Sequence, residues 1–455
     1  MKFTFKNLGI FEKETTLELG DLTIICGQNN TGKTYASYAI FGFLDTWNRN
    51  IDFDIPEQKI KELYSNGVIE LNLDDFAEIA GQSLSKLSIQ YSSFLHKVFS
   101  TSEDFFQSTQ FVAHSSVEKY VDTVIGSTIT TVEGKEVLKF EKQKDFNVLQ
   151  ISLLVEANKD KKTLPSTQMI TDFIDFNVGR SLFSFPNPFV ISSERTGVSL
   201  FHRELDISKN VIVERLQNSD KQLQVADYFE MIEEATSRYA KPVKEGIDFV
   251  RDIIDIHSKK KSELIKENPE FLRLIQNIVG GEYQVKNDQI IFAFRKGRRK
   301  EKIPLYMASS TVKSMLELYF YITSIAKKGD ILMIDEPELN LHPANQRKLA
   351  RLFAHLVKAG IKVFITTHSD YLIKELNNLI MLSNDFEYKE EVLKNLKDYS
   401  PEDNLSPSHI KAYIADKKTL IPAPITEYGI EVESFDDEID AINHAFNEIT
   451  LALGI

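Results

Sequence analysis

The chain reads Gly27-Gln28-Asn29-Asn30-Thr31-Gly32-Lys33-Thr34 near its start. It has the G-x-x-x-x-G-K-[ST] spacing of a phosphate-binding loop. Glycines at both ends let backbone N–H groups turn inward toward an anion, and the lysine and threonine add a cation and a hydroxyl. The alternative is a glycine-rich turn without a ligand.

The residues on either side favour the phosphate loop. Leu22–Cys26 is a short apolar run, which is typical of a buried strand. After the loop, apolar residues recur with the spacing of one helical face, at Ala36, Ala39, Ile40, Phe43 and Leu44. A helix that begins near Lys33 directs the positive end of its dipole at the same anion. We therefore expect Lys33 to contact the β- and γ-phosphates of a nucleotide and Thr34 to hold Mg²⁺.

Composition sets limits on the rest of the chain. Its 455 residues exceed the roughly 250–300 residues of one hydrophobic core, so two lobes are expected. No window approaches the roughly 18 uninterrupted apolar residues of a membrane span, and the first residues lack the apolar core of a signal peptide. The sequence therefore predicts a cytoplasmic protein without a membrane partner. Cys26, the single cysteine, cannot form an internal disulfide and is predicted to be buried.

The charge distribution is acidic with local basic patches. A net charge of −13 argues against a surface that binds nucleic acid everywhere. Two basic patches, Lys259–Lys261 and Arg295–Lys300, leave local DNA binding possible. Aromatic residues do not alternate with the basic residues, as they would in a stacking platform for single strands. The alternative is a solvated face or a docking surface for a partner.

A second half of the nucleotide site is predicted far downstream. The apolar run Ile331–Ile334 ends in Asp335-Glu336-Pro337. An aspartate at the end of such a strand organises Mg²⁺ opposite a phosphate loop, and Asp335 fits this role. Glu336 is predicted to position or deprotonate the attacking water. The alternative is that the acidic pair only caps the next segment.

Two further strands end in polar residues. Val363–Thr367 delivers His368 to the edge where Asp335 is expected. A lone histidine is usually structural, but this position favours a contact with the γ-phosphate or the catalytic water. Phe189–Ile191 ends in the polar cluster Ser192–Gly197, which is a candidate for nucleotide contact, with an ordinary turn as the alternative.

Between these motifs the spacing predicts secondary structure. Apolar residues from Leu71 to Phe111 recur mostly at helical spacing, and strands are predicted between Thr128 and Val155. Glu204–Ile278 is charged and mostly helical. Glu282–Phe294 predicts a hairpin, followed by a basic loop over Arg295–Lys300. The apolar positions that define the start of the helical arm are Ile212, Leu216 and Leu223.

Taken together, the motifs resemble the ABC-type ATPase superfamily, and within it the branch of SMC proteins, double-strand-break repair ATPases and OLD ATPases. By this resemblance Gly27–Thr34 is the Walker A loop, Asp335 the Walker B acid, Glu336 the catalytic glutamate and His368 the switch histidine. Asn340–Pro343 resembles the D-loop. The segment Ala308–Lys313 takes the place of the signature motif, with Ser310 and Thr311 where the family has glycines.

The resemblance implies an α/β fold with an ABC-ATPase-like P-loop core, an N-terminal mixed β-sheet lobe and a helical insertion. It implies ATP and Mg²⁺ as cofactors, with Thr34 and Asp335 at the metal and Glu336, His368 and Lys33 in catalysis. Two ATP molecules would be sandwiched between copies of the chain, so at least a dimer is expected. The predicted nucleotide-binding residues are Gly27, Asn29, Asn30, Thr31, Gly32, Lys33, Thr34, Tyr35, Ser309 and Ser310.

The motif positions divide the chain into four predicted parts. Residues 1–200 form an N-terminal ATPase lobe with an inserted α/β segment, and residues 201–299 form a helical arm with a hairpin. Residues 300–385 form a C-terminal ATPase lobe. Residues 386–455 form a helical tail, in which a last helix is announced by Ser434–Asp437 as a capping box.

An ATPase core without an effector of its own resembles the stand-alone ATPase subunits of anti-phage systems such as Septu, PARIS and some retrons. The resemblance implies an ATPase that oligomerises and controls a separate nuclease or toxin. Two alternatives stay open: an SMC-like ATPase of DNA metabolism, and an ATP-bound scaffold with little turnover.

Overall fold

The computed structural model describes residues 1–117, 120–130, 134–155, 165–205, 239–259, 261–287 and 289–453. The strands are β1 (Lys2–Lys6), β2 (Thr15–Glu18), β3 (Leu22–Cys26), β4 (Val68–Asn72), β5 (Gln110–His114), β6 (Ile125–Thr130), β7 (Glu136–Lys142), β8 (Val148–Leu153), β9 (Pro188–Ile191), β10 (Gly281–Lys286), β11 (Gln289–Lys296), β12 (Arg299–Pro304), β13 (Ile331–Asp335), β14 (Lys362–Thr367), β15 (Ile410–Asp416), β16 (Thr419–Pro422), β17 (Ile425–Thr426) and β18 (Gly429–Ile430).

The helices alternate with these strands in the α/β order that the motifs predict, and none in the described ranges is both long and apolar enough to cross a membrane. They are α1 (Lys33–Asn50), α2 (Glu57–Asn66), α3 (Leu73–Phe99), α4 (Thr167–Leu182), α5 (Arg195–Leu205), α6 (Lys241–Lys259), α7 (Glu263–Glu267), α8 (Glu270–Val279), α9 (Ser310–Ser314), α10 (Leu316–Phe320), α11 (Pro343–Lys358), α12 (Asp370–Met381), α13 (Lys389–Asn395) and α14 (Glu433–Leu453).

A central sheet of strand order β16-β15-β3-β14-β13-β9 carries the motifs. Strands β15, β3, β14, β13 and β9 run parallel, and β16 is antiparallel at the edge. Every residue of β3 and β13 is buried, which explains why both read as unbroken apolar runs. The carboxyl ends of the parallel strands therefore meet at one edge of the sheet.

Helices cover both faces of this sheet, and the side chains of each strand alternate between two cores. Ile25, Met333 and Phe364 belong to the core that also contains residues of α1. Ile24 and Ile365 belong to the opposite core, which contains residues of α11 and α12. The predicted α/β fold with a P-loop core is thereby confirmed.

Two antiparallel sheets lie before β9 in the chain, with strand orders β2-β1-β5 and β4-β8-β7-β6. The helical spacing that predicts helix from Leu71 to Phe111 is right for α3, but it is wrong at both ends, and Leu71 lies in β4. Phe111 lies in β5, where it pairs with Phe5 of β1. Its ring packs against Phe3 and Tyr91. Phe111 is therefore buried as part of a strand, although its spacing from the preceding apolar residues is that of a helix.

The basic stretch Arg295–Lys300 is a hairpin and not the predicted loop. Strands β11 and β12 pair antiparallel, with Arg295 opposite Lys300 and Lys296 opposite Arg299. The turn forms at Gly297, whose φ of 62° suits glycine. The hairpin between β10 and β11 occurs where it is predicted.

The prediction that residues 386–455 form a helical tail is wrong for its middle part. Strand β15 pairs in parallel with β3, the strand that leads into the phosphate loop. The central sheet thus extends through residues 410–422. Helix α14 is present, while the side chains of the predicted capping box lie outside the described residues, as do Ile212, Leu216 and Leu223. The division into four parts stays a prediction.

Candidate nucleotide site

The sheet order brings the three predicted motifs to one edge. Strand β14 lies between β3 and β13, with Thr367 opposite Cys26 and Thr366 opposite Asp335. The phosphate loop, the Asp335-Glu336 pair and His368 therefore emerge side by side, although more than 300 residues separate Lys33 from Asp335.

The loop has the backbone geometry that its glycines predict. Gly32 has a φ of 93°, and a Cβ built there would lie 2.8 Å from Ile10 Cγ1. A Cβ on Gly27 would lie 2.8 Å from the Ala415 carbonyl oxygen. Larger residues would strain the backbone at Gly32 and crowd its neighbours at both positions. The strand β15 that the sequence prediction misses thus forms one wall of the loop.

The Lys33 side chain is folded under its own loop. Its ammonium group donates hydrogen bonds to the carbonyl oxygens of Gly27 at 2.9 Å and Gln28 at 2.7 Å. Burial lowers the pKa of Lys33, while the nearby carboxylates of Glu336 and Asp335 raise it. A buried cation beside two neutral carbonyls is a strong site for an anion, because charge-assisted hydrogen bonds exceed neutral ones.

Thr34 and Asp335 are in direct contact, as a shared metal site requires. The Thr34 hydroxyl donates to Asp335 Oδ2 at 3.1 Å, and the Thr366 hydroxyl donates to Asp335 Oδ1. Burial raises the pKa of Asp335, and the two hydroxyl hydrogen bonds lower it. Among the described residues no group of three or more His, Cys, Asp or Glu side chains could hold a metal by itself. This donor set fits Mg²⁺, which takes few protein oxygens together with waters and phosphate oxygens.

The backbone of Glu336 is held on both sides in a strained conformation. Its φ is 49°, which is uncommon for a residue other than glycine. Its N–H group donates to the Thr366 carbonyl oxygen at 3.1 Å, and its carbonyl oxygen accepts from Arg195 Nη2 at 2.6 Å. Arg195 also donates to the carbonyl oxygen of Asp335 at 2.9 Å. These contacts fix Glu336 against the strain, so its carboxylate is presented from a rigid position.

Arg195 belongs to the predicted polar cluster after β9, and it acts on the acidic pair. The guanidinium group is buried. Burial lowers its pKa, and the charge of Glu317 raises it. Glu317 is itself buried, and neither of its carboxyl oxygens has a hydrogen-bond partner in the structure. Burial raises the pKa of Glu317 to about 8, against the lowering effect of Arg195.

Glu338 is a functional candidate that the sequence prediction misses. It is buried, and its Oε1 accepts hydrogen bonds of 2.8 Å from the Thr367 hydroxyl and from the His368 backbone N–H group. The same oxygen lies 3.4 Å from His368 Nδ1, and Glu336 Oε1 lies 3.5 Å from that nitrogen. Two carboxylates therefore face one ring nitrogen and leave Nε2 for a ligand. The one feature of the sequence that could have identified Glu338 is its position, two residues after Glu336 in Glu336-Pro337-Glu338.

Tyr35 and Ser309, which are predicted to bind nucleotide, contact other parts of the protein through their side chains. The Tyr35 ring packs against Phe99 and stacks on Phe105, with centroids 5.3 and 6.2 Å away. Ser309 caps α9 by accepting from the Val312 N–H group.

The start of α9 lies beside the predicted D-loop of its own chain. Thr311 donates its hydroxyl hydrogen to the Asn340 carbonyl oxygen at 2.7 Å. The Asn340 side chain in turn donates to the Thr196 hydroxyl at 3.0 Å. Ser309 and Ser310 therefore sit at a rim formed by α9, the D-loop and α5.

The solved structures that match this chain include heads of SMC proteins. The SMC head domain from Thermotoga maritima is 12% identical, covers 93% of this chain and 98% of its own, and has a TM-score of 0.30. The Smc head domain with an extended coiled coil from Pyrococcus furiosus, bound to the C-terminal domain of ScpA, is 10% identical. It covers 97% of this chain and 98% of its own at a TM-score of 0.31.

The curated proteins contain no match to this chain. Residues 1–373, which include Walker A, Asp335 and His368, match the family described as an AAA ATPase domain. The chain belongs to the AAA ATPase domain family.

Proposed function

We propose that the chain binds ATP with Mg²⁺ and hydrolyses it between two copies of itself, and that this cycle controls a separate effector in antiviral defence. The contact of Thr34 with Asp335 carries the ATP part of the proposal, since it joins the two predicted metal ligands beside a buried lysine. The family match supports nucleotide binding.

Each residue at the sheet edge has its own role in the proposed hydrolysis. When it is bound, Mg²⁺ supplies charge that offsets the negative charge of the phosphates. Lys33 would contact the β- and γ-phosphates, and Thr34 and Asp335 would hold the metal. Glu336 orients a water and accepts its proton. His368, turned by Glu336 and Glu338, directs Nε2 toward the γ-phosphate.

The sandwich between copies rests on the placement of α9. Its N-terminus, capped by Ser309, lies at a rim with Asn340. The Ser309 hydroxyl accepts a hydrogen bond as the cap and can still donate its own hydrogen, which suits a phosphate oxygen of a nucleotide on another copy. Control of a nuclease or toxin rests on the resemblance of the motifs to stand-alone defence ATPases.

Substituting Glu336 by Gln tests the hydrolysis step. The amide keeps the shape but cannot accept a proton, so ATP turnover should fall by about 100-fold or more while ATP binding is retained. A matched control is Glu390→Gln, at an exposed position on α13, which should hydrolyse ATP at the wild-type rate. Negligible turnover in wild type would contradict hydrolysis and favour a scaffold that only binds ATP. Measurable turnover that is equal in wild type and Glu336→Gln would contradict the role of Glu336.

DNA binding is a second candidate function, and the basic hairpin favours it. Residues 295–302 are exposed, and its cross-strand pairs place like charges opposite each other. Such pairs destabilise a sheet. Lys300 is already paired with Glu282 at 2.5 Å, so an anionic ligand would mainly offset the charges of Arg295, Lys296 and Arg299. Replacing Arg295, Arg298 and Arg299 by Glu should abolish salt-dependent DNA binding. Wild-type protein that fails to bind DNA at low salt would exclude this function.

A further inference from the structure

The turn between β15 and β16 consists of Lys417 and Lys418, and both have a backbone conformation that favours glycine. Asp416 pairs with Thr419, so the hairpin has a two-residue loop. The φ angles of the two lysines are 46° and 65°, as a type I′ turn requires. Among the described residues, this is the one place where two consecutive residues other than glycine both have a positive φ. Asparagine followed by glycine forms such a turn with less strain, so two lysines here cost the fold stability.

This strained turn lies beside the phosphate loop. Strand β15 runs parallel to β3 with Ile414 opposite Cys26, so it ends at the edge of the sheet from which the loop emerges. The approach is close, because a Cβ on Gly27 would lie 2.8 Å from the Ala415 carbonyl oxygen. Lys417 follows Ala415 by two residues, which span at most about 7 Å. The long side chain of Lys417 can therefore reach a ligand that the loop holds.

A second contact fixes the turn beside the loop. The hydroxyl of Thr419, the first residue after the two lysines, is hydrogen-bonded to that of Thr15 at 3.0 Å. Thr15 begins β2, and the segment just before it packs on the phosphate loop, since a Cβ on Gly32 would lie 2.9 Å from Phe11 Cζ. The turn and the segment that contains Phe11 thus flank the loop from two directions, so the turn has a defined position relative to a bound anion.

The two lysines of the turn differ in their partners. The Lys418 ammonium group forms an ion pair with Glu12. The Lys417 side chain is 81% exposed, and its ion pair with Asp416 is long, at 3.7 Å. An exposed pair of this kind contributes little, so Lys417 can exchange it for another anion. ATP bears more negative charge than Lys33 and one Mg²⁺ offset, so a further cation at the rim of the loop would gain a charge-assisted hydrogen bond.

We propose that Lys417 is a second phosphate-contacting lysine for the nucleotide held by the loop of its own chain. The inference rests on the proposed function, because it requires a nucleotide in the loop. It deepens that function by assigning a nucleotide contact to the β15–β16 hairpin, outside the motifs of the phosphate loop and of β13. A lysine in an ordinary surface turn has no use for a positive φ, whereas strained backbone is characteristic of functional sites.

Replacing the two lysines by Asn-Gly separates a role in binding from a role in the fold. Asn-Gly suits a type I′ turn, so Lys417→Asn/Lys418→Gly should melt at or above the wild-type temperature. The same variant should bind ATP with Mg²⁺ roughly 10-fold more weakly in isothermal titration calorimetry, because it loses a charge-assisted contact. Lys417→Arg keeps the charge in the turn and should restore wild-type affinity.

The control Lys327→Gln/Lys328→Gln removes the same charge from two exposed lysines before β13, at the opposite edge of the sheet, and should leave ATP affinity unchanged. Wild type that does not bind ATP would contradict the proposed function and this inference with it. Wild type that binds ATP, with equal affinity in the Asn-Gly variant, would overturn the role of Lys417 alone. An equal loss of affinity in the control would show an effect of net charge and would also overturn it.

A crystal structure of the wild-type chain with the ATP analogue AMP-PNP and Mg²⁺ tests which part of the nucleotide is contacted. The Lys417 ammonium group should lie within hydrogen-bond distance of a phosphate oxygen. An ammonium group on the base or the ribose, or one still directed at Asp416 beside a bound nucleotide, would overturn the proposal.

Discussion

At the scale of single residues, the site depends on groups that hold other groups in place. Asp335 receives two threonine hydroxyls, and Glu336 is fixed by hydrogen bonds to both of its backbone polar groups. His368 has two carboxylates near one nitrogen. Such supporting contacts determine whether a reacting group lies where it is needed, so they should affect turnover more than nucleotide binding.

Glu338 should act as a positioning residue for His368. Replacing it by Gln keeps a hydrogen-bond acceptor for the Thr367 hydroxyl but removes the charge near His368 Nδ1. We expect kcat for ATP hydrolysis to fall roughly 10-fold with little change in KM. Glu338→Ala should lose more than Glu338→Gln, since it also removes the acceptor. Wild-type kcat in both variants would show that Glu338 has no part in turnover.

Glu317 should make stability depend on pH. Its pKa rises from 4.5 in the unfolded chain to about 8 in the fold, so the folded chain binds this proton more tightly. Stability should therefore decrease as the pH rises from 4.5 through 8. Glu317→Gln cannot ionise, so its Tm should match wild type near pH 5 and exceed it near pH 8.5.

The control for this pH effect is Glu70→Gln at an exposed position of β4, which should leave the pH profile of Tm unchanged. Thermal unfolding followed by circular dichroism across this pH range measures both variants. If Glu317→Gln were less stable than wild type at every pH, Glu317 would be an ionised partner of Arg195 instead of a neutral buried acid.

At the scale of elements, the strands with unbroken apolar runs could be predicted and those without could not. Strands β3, β13 and β14 are buried on both faces, so their sequences carry a strong signal. Strand β15 lies between β3 and the short edge strand β16, and it contains Lys411. Its sequence therefore mixes apolar and polar residues and does not read as a buried strand. The basic strand β12 pairs with β11, but its first four residues are all charged, so side-chain periodicity does not reveal it. Likewise Arg195 and Glu338 contact residues that are distant in the sequence, so local sequence spacing does not reveal their positions in the site.

The tail strands should be essential to the fold. Ile410, Tyr413 and Leu420 are buried in the central cores and contribute roughly 1.5–3 kcal/mol each. Removing residues 406–455 therefore costs an amount comparable to a typical total stability of roughly 5–15 kcal/mol, and this variant should not fold. Removing only residues 433–455 should leave the Tm within a few degrees of wild type. Circular dichroism distinguishes the two, and equal melting of both would contradict a structural role for β15.

At the scale of the whole molecule, self-association is proposed across the nucleotide site. If two copies share each site, one copy supplies Lys33 and the other supplies Ser309. Variants that lack one contribution should then be able to complement each other, because a mixed dimer retains one intact site.

Mixing Lys33→Ala with Ser309→Arg chains tests this sharing. Each variant alone should be inactive, and an equimolar mixture should recover about a quarter of the wild-type ATPase rate, since random pairing gives half mixed dimers with one intact site each. The control is a mixture of Lys33→Ala with Glu336→Gln. Both residues are supplied by the same copy, so a mixed dimer has one defect in each site and should not complement. An inactive Lys33→Ala and Ser309→Arg mixture would contradict the sandwich.

The most direct test of the central claim is a crystal structure of Glu336→Gln grown with ATP and Mg²⁺. The claim is that one triphosphate lies between the loop at Lys33 and the carboxylate of Asp335. The structure should show the Lys33 ammonium group on the β- and γ-phosphates and one Mg²⁺ shared by Thr34 and Asp335. ATP bound elsewhere, or Lys33 still hydrogen-bonded to the carbonyls of Gly27 and Gln28 beside an empty loop, would contradict the claim.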